Sequence, residues 1–533
     1  MKGWVAHRYD RWAVLVLLVG LSLRGAIAAF LPPGFDEAYY YLYTQHLDWS
    51  YFDHPVLVAL STGVGVWLTG IVSQFTIRWG ALLLHTGALG LLYLTGRHLF
   101  SAKAGWLTLA IASLAPIFLA GFGVMTLPDA PLVFFWSATL YVASREFFPQ
   151  PERTGFTYRP TWRVALLGLL VGLACLGKYH GAALGFGLVG FCLTQPTYRK
   201  VLVSPWLVLG AVLFGVAIAP ILIWNHQHDW VSLRFQSGRA VPDRGYSLVD
   251  LLVTWLVGIA YLFPSFGFLF WWVSGKAVWL QFPQPQSRLA NRRNIPFSPP
   301  VAALILWLSL PLMLGFTLMG GYRQILPTWA APGFWGMTLL LGAWVSTWRT
   351  LVWRRWLMVS AAIIVPILLL AVLHLSLGIF QKPGQYAIAG GFLTPANDAS
   401  TQQINIQQLR QQFAESGVLS QGDFLFTNDI YLAGQLGMAI APLTRQPITC
   451  FDPDPRGFAF WSTAEEWVGQ RGLLVTTPAQ AAAAIAQYQG YFSDLQLAAD
   501  LPIRRGGEVV RVVQVYRAGA LQIPYPRPYG RMR

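Results

Sequence analysis

The chain has 533 residues, 55% of them hydrophobic types and 11% charged, where a typical soluble domain carries about 25% charged residues. Lys and Arg number 37 and Asp and Glu 22, a formal net charge of +15, and there are 24 Trp and 33 Phe. Charge this sparse excludes a soluble globule and a disordered chain, and the basic excess fits the positive bias of cytoplasmic loops better than a nucleic-acid-binding face.

Apolar runs predict eleven spans, near 12–31, 76–96, 104–120, 131–147, 164–177, 181–197, 202–223, 250–274, 300–319, 328–347 and 356–378. The fifth and sixth are shorter than the ~20 residues of a full span. The first run ends in Leu31-Pro32-Pro33-Gly34 without a small-residue cleavage site, which reads as a span and not a signal peptide. With the N-terminus inside, the inner connections hold Lys2, Arg8, Arg11, Arg97, Lys103, Arg145, Arg153, Arg159, Arg163, Arg199, Lys200, Lys276, Arg288, Arg292, Arg293, Arg349, Arg354 and Arg355, which is 18 bases. The outer loops hold 5: Lys178, Arg234, Arg239, Arg244 and Arg323. That asymmetry sets the orientation, and an odd number of spans leaves the tail outside.

The expected architecture is therefore a multi-span α-helical membrane domain over 1–380 and a soluble extracytoplasmic α/β domain over 381–533, in the plasma (inner) membrane. In the tail, 401–416 and 431–440 read as helices, and 423–428, 472–477 and 509–516 as strands. Three Cys make no disulfide framework.

Acids of the membrane part gather on one rim. Asp10, Glu146 and Glu152 are inside, whereas Asp36, Glu37, Asp48, Asp53, Asp129, Asp229, Asp243 and Asp250 are outside. Acids hardly influence insertion, so the clustering suggests a site at the outer face, the alternative being simply hydrated loops. A transporter usually places ionisable groups near the midplane, whereas here charged residues are nearly absent from the middle of the spans, Arg24 being the clearest exception, and gather at the outer ends.

The first outer loop opens Pro32-Pro33-Gly34-Phe35-Asp36-Glu37-Ala38-Tyr39-Tyr40-Tyr41 and continues to Tyr51-Phe52-Asp53-His54-Pro55. Ala38 to Leu47 reads as an aromatic amphipathic helix in the membrane interface, with Asp36 either its cap or a reactive carboxylate. Leu127-Pro128-Asp129-Ala130-Pro131 offers Asp129 as an acid or as the N-cap of the next span. Gly177-Lys178-Tyr179-His180 puts a lysine and a histidine in a tight turn suited to a phosphate, or to a snorkelling lysine. The loop Trp224 to Asp229 with Arg234, Phe235, Gln236, Arg239 and Arg244, and the loop Gly320 to Pro327 with Tyr322 and Arg323, add cations and aromatics to the same face. Carboxylates there can act as a base towards a hydroxyl or amine, and cations can stabilise a departing phosphate. No nucleotide-binding glycine loop occurs, so an activated group at this face would arrive on a lipid phosphate.

These motifs, in this order over roughly residues 1–380, resemble family 39 glycosyltransferases, the bacterial relatives of protein O-mannosyltransferases, with the aminoarabinose transferases as near cousins. The resemblance implies a GT-C fold, a polyprenyl-phosphate-linked sugar donor and an inverting transfer to an acceptor on the outer side. It implies that Asp36 activates the acceptor, with Glu37 as its neighbour; apart from the resemblance, Asp129 is a second candidate for the base. Asp53 and His54 match the acidic–basic pair before the proline. Aminoarabinose transferases carry a lysine at the position of His54, and a histidine is only partly charged near neutral pH, which moves the expected phosphate contact towards Lys178 and Arg323. Tyr40, Tyr179, His180, Arg234 and Tyr322 complete the expected substrate-binding set. The sequence requires no cofactor and leaves a divalent metal open. Expected partners are the lipid-linked donor and membrane lipids, with a protein, lipid or glycan acceptor. A lipid-linked oligosaccharide transporter or ligase is the alternative, and a non-catalytic membrane sensor a third reading.

Overall fold

The computed structural model describes residues 2–149, 157–283 and 295–529; Arg153, Arg288, Arg292 and Arg293 of the inner set lie outside the described residues. Helix α1 (Lys2–Phe30) stops at the prolines, and a short helix α2 (Phe35–Tyr43) follows. Next come α3 (Leu57–Thr69), α4 (Trp79–Leu99), α5 (Ala102–Leu114), α6 (Asp129–Phe147), α7 (Arg163–Gly177), α8 (Ala182–Thr194) and α9 (Pro205–Gln227). The membrane part continues with α10 (Val231–Gly238), α11 (Leu248–Leu262), α12 (Pro264–Trp279), α13 (Pro299–Met319), α14 (Pro327–Ser346) and α15 (Thr350–Leu377).

Among the described residues, five helices are long and apolar enough to cross a membrane: His7–Phe30, Thr76–Leu99, Pro205–Gln227, Pro299–Met319 and Thr350–Leu377. The expected span over 250–274 consists of two helices, α11 and α12, bent by 115°. The cause is local: Phe263 sits at φ +72, outside helical geometry, and Pro264 follows, and a proline disfavours helical geometry at the residue before it. The run at 104–120 likewise divides, at Ala115-Pro116, into α5 and a π-helical turn Ile117–Phe122. The apolar helix α3 lies where the sequence suggested only an outer loop. It is pressed onto α4, where a methyl group on Gly80 would lie 2.1 Å from the carbonyl of Ser61.

The C-terminal region carries α16 (Ile406–Ser416), β1 (Phe424–Thr427), α17 (Ile430–Ile440), β2 (Ile448–Cys450), α18 (Phe458–Trp461), β3 (Arg471–Thr476), α19 (Pro478–Tyr488), β4 (Leu495–Arg505) and β5 (Glu508–Ala520). One sheet runs β2-β1-β3-β5-β4, with β2, β1 and β3 parallel and β5 antiparallel to β3 and β4. Helix α2 does not lie in an open interface. Its Tyr39, Tyr40, Tyr41 and Tyr43 are buried in one apolar cluster with Leu409, Leu436, Leu473 and Val515 of the C-terminal region. The close approach needs glycine, because a methyl group on Gly434 would lie 2.6 Å from Tyr39 N and one on Gly437 2.3 Å from Leu42 Cδ2.

Candidate active site

The adjacent carboxylates of α2 have different fates. Glu37 is fully buried and closes the start of its own helix by accepting from Gly34 N at 2.8 Å. Its oxygens also accept from Arg78 Nε at 2.8 Å, Arg78 NH2 at 2.6 Å and Thr126 N at 2.9 Å. Arg78, equally buried, donates in turn to the carbonyls of Ala28, Leu31 and Pro32, the frayed end of α1. Glu37 is thus a clasp joining α1, α2, α4 and the 123–128 turn, not a group free for chemistry. The helix-capping role considered for Asp36 falls to Glu37.

Asp36 points the other way. It is half-buried, lines a cavity of about 490 Å³, and makes no hydrogen bond among the described residues. Burial, then the charge of Asp53, raises its carboxyl to about 6, with Arg456 and Lys178 acting in the opposite sense. Asp53 is buried and committed: the Tyr43 hydroxyl donates to Oδ1, and Arg456 NH1 lies 3.3 Å from Oδ2. Gln236 Nε2 donates to the Asp53 carbonyl at 2.7 Å, tying α10 to the loop after α2.

Across the cavity, Lys178 donates to both oxygens of Asp129 at 2.9 Å in a buried pair. Gly177 makes this meeting possible, since a methyl group there would lie 2.7 Å from Leu132 N. Asp129 is therefore neither a helix cap nor a free acid. His54, Tyr179 and His180 line the same cavity, as does Tyr40. Burial first, then Lys178, pushes both imidazoles well below their usual range, so they are neutral. Both ring nitrogens of His180 and the Nδ1 of His54 are buried without a hydrogen-bond partner among the described residues.

Three residues of the expected substrate set lie elsewhere. Arg234 is exposed and folds back on the carbonyl of Asp229. Tyr322 packs edge-on against Tyr246 at 4.6 Å. Arg323 NH1 donates to the carbonyl of Arg239 at 2.5 Å and of Val241 at 3.2 Å, so it braces the loop after α10 without reaching the cavity. The lining cation without an ion pair among the described residues is Arg239, whose guanidinium lies over Phe235 at 4.8 Å and Trp329 at 5.3 Å. Spacing along α10 distinguishes it: 235, 236 and 239 share one helical face and 234 turns away. Tyr431 and Arg456 also line the cavity and come from the C-terminal region. Phe451-Asp452-Pro453-Asp454-Pro455-Arg456-Gly457 reads as a turn in the sequence, but nothing local pairs its arginine with Asp53.

The remaining wall is apolar, built by Leu312, Phe316, Met319, Leu326 and Trp329 of α13, α14 and their connection. One cavity thus joins a free carboxylate, an unpaired guanidinium, neutral imidazoles and a greasy flank. Among the described residues, no group of three or more His, Cys, Asp or Glu side chains is arranged to hold a metal ion.

Residues 53–224 match the family described as dolichyl-phosphate-mannose-protein mannosyltransferase. The chain is 26% identical over 331 residues to the lipid A galacturonosyltransferase RgtD of Rhizobium johnstonii (strain DSM 114642 / LMG 32736 / 3841), an alignment covering 61% of this chain and 64% of that relative. Among solved structures, ArnT from Cupriavidus metallidurans in the apo state superposes with a TM-score of 0.60 at 16% identity, over 95% of this chain and 98% of that one. The same protein bound to undecaprenyl phosphate superposes with a TM-score of 0.57 at 16% identity, over 97% and 98%. At that identity the likeness establishes the fold.

Proposed function

We propose that the chain, with its ArnT-like fold and its match to the mannosyltransferase family over residues 53–224, is an integral-membrane glycosyltransferase of the GT-C type acting at the extracytoplasmic face. The observation that carries the proposal is the unpaired Asp36 carboxylate in one cavity with the unpaired Arg239 and the apolar wall. A polyprenyl-phosphate sugar has parts to match: an isoprenoid chain for the wall, a phosphate for Arg239, and an anomeric carbon between phosphate and acceptor. Asp36 takes the proton from the acceptor hydroxyl or amine as that atom attacks the anomeric carbon. The carbon–oxygen bond to phosphate breaks with inversion, and the polyprenyl phosphate leaves with its charge met by Arg239. A carboxylate raised to about 6 is ionised at neutral pH and a better base than an ordinary one. Binding of undecaprenyl phosphate by ArnT supports such a donor, and the distribution of 18 bases against 5 supports the outer location.

Asp36→Asn tests the reading. It keeps shape and removes the base, so transfer from a polyprenyl-phosphate sugar by the purified protein should fall about 10²–10⁴-fold with the fold intact. Near-normal turnover would remove Asp36 from the chemistry, and activity lost only in Asp129→Asn would move the base there.

A further inference from the structure

Arg456 reaches the cavity from the turn between β2 and α18, on a backbone at φ +46 that side chains with a Cβ seldom adopt. Its NH1 lies 3.3 Å from Asp53 Oδ2, its Nε lies 3.5 Å from Asp454 Oδ2, and its guanidinium faces Phe235 and Tyr431 at 5.9 Å each. Several charged or titratable groups face Asp36. Glu37 and Tyr40 lie on its own helix, Asp53 on the following loop and Lys178 on the α7–α8 turn, while Tyr431 and Arg456 come from the C-terminal region. Burial contributes most to the raised Asp36 carboxyl, and among the charges Asp53 and Arg456, themselves in contact, act on it most and in opposite senses, ahead of Glu37 and Lys178.

We propose that Arg456 is a positioning residue of the site: the C-terminal region holds it so that it fixes Asp53 and leaves Asp36 as the carboxylate that meets the acceptor. This rests on Asp36 being the base. The C-terminal region is then part of the reaction site and not an appendage to it.

The test uses full-length protein in lipid nanodiscs and the methyl ester of undecaprenyl phosphate, a phosphodiester that stays singly charged from pH 5 to 8. Wild-type affinity should fall as pH rises through about 6, where Asp36 ionises beside the bound anion, and Asp36→Asn should lose that fall. Arg456→Gln should move the fall upward by about one pH unit, because a nearby cation favours the ionised acid, and Arg456→Lys should move it less. Should Arg456→Gln not be recovered folded, Asp53→Asn carries the test and should move the fall downward. An Arg456→Gln variant weaker by one factor at every pH, with the midpoint unmoved, makes Arg456 a mere anion attractor and overturns the inference while Asp36 stands. Persistence of the fall in Asp36→Asn defeats the Asp36 reading itself.

Discussion

Glu37→Ala separates the two neighbouring carboxylates. The substitution deletes the acceptor of four hydrogen bonds, from Gly34 N, Thr126 N and two nitrogens of Arg78. It leaves a guanidinium of 0% side-chain exposure with only backbone carbonyls for company. Breaking a buried ion pair by removing one partner costs about 3–5 kcal/mol. Each orphaned buried amide adds about 1–3 kcal/mol, but groups in one network do not add independently, so about 3 kcal/mol is a lower figure. With an unfolding entropy that grows with chain length, about 1 °C per kcal/mol applies to a chain of this size, so the melting temperature should fall by roughly 3 °C or more. Tryptophan fluorescence of the purified protein in detergent would follow it. Asp36→Asn breaks no hydrogen bond and should not melt below wild type. Replacing Glu37 and Arg78 together by Met should recover much of the loss, since no charge is then stranded. A Glu37→Ala protein that melts with wild type yet has lost turnover would refute the clasp and place Glu37 in the chemistry.

The raised carboxyl of Asp36 also has a signature in stability. Its ionised form is penalised in the fold, so the penalty is absent below the unfolded value of ~4 and complete above the folded value of about 6. Asp36→Asn should therefore melt above wild type at pH 7.5, with the gap closing by pH 4; a gap that persists at pH 4 contradicts the assignment. Arg239→Gln should weaken binding of a polyprenyl phosphodiester about tenfold or more, the worth of a charge-assisted bond, whereas Arg234→Gln should leave it unchanged. Equal losses in a binding titration would mean that only the field of the loop matters. Membrane-impermeant thiol reagents applied from outside should label Ser420→Cys and not Ala290→Cys, and the reverse pattern would place the cavity on the other side.

Much of this was legible in the sequence because the chemistry is concentrated in short motifs beside apolar runs. Asp36, Tyr40, Asp53, His54, Asp129, Lys178, Tyr179 and His180 all stand out as polar or aromatic residues at the ends of apolar runs, and the structure brings them to one cavity. Which of them are neutralised was not legible. The pairs Lys178–Asp129, Arg78–Glu37 and Arg456–Asp53 join positions 49, 41 and 403 residues apart, and only the folded chain makes them neighbours. Arg323 shows the converse: it carries the right charge on the right face but serves a loop. The strand and helix patterns of β1, α17 and β3 were readable from alternation and spacing. The bend at Phe263 required knowing that one apolar run contains two helices.

The packing of α17 on α2 has a consequence in time. Synthesis proceeds from the N-terminus, so α2 is made some 390 residues before Gly434 and Gly437 exist to cover its tyrosines. Until that later stretch has been made, the wall bearing Tyr431 and Arg456 is missing and the α2 tyrosines are uncovered. The cavity is closed by a stretch made long after the helix it covers, so a chain stopped before α17 lacks that wall. Assembly of the cavity is in this way made contingent on the region that carries α17 having been made.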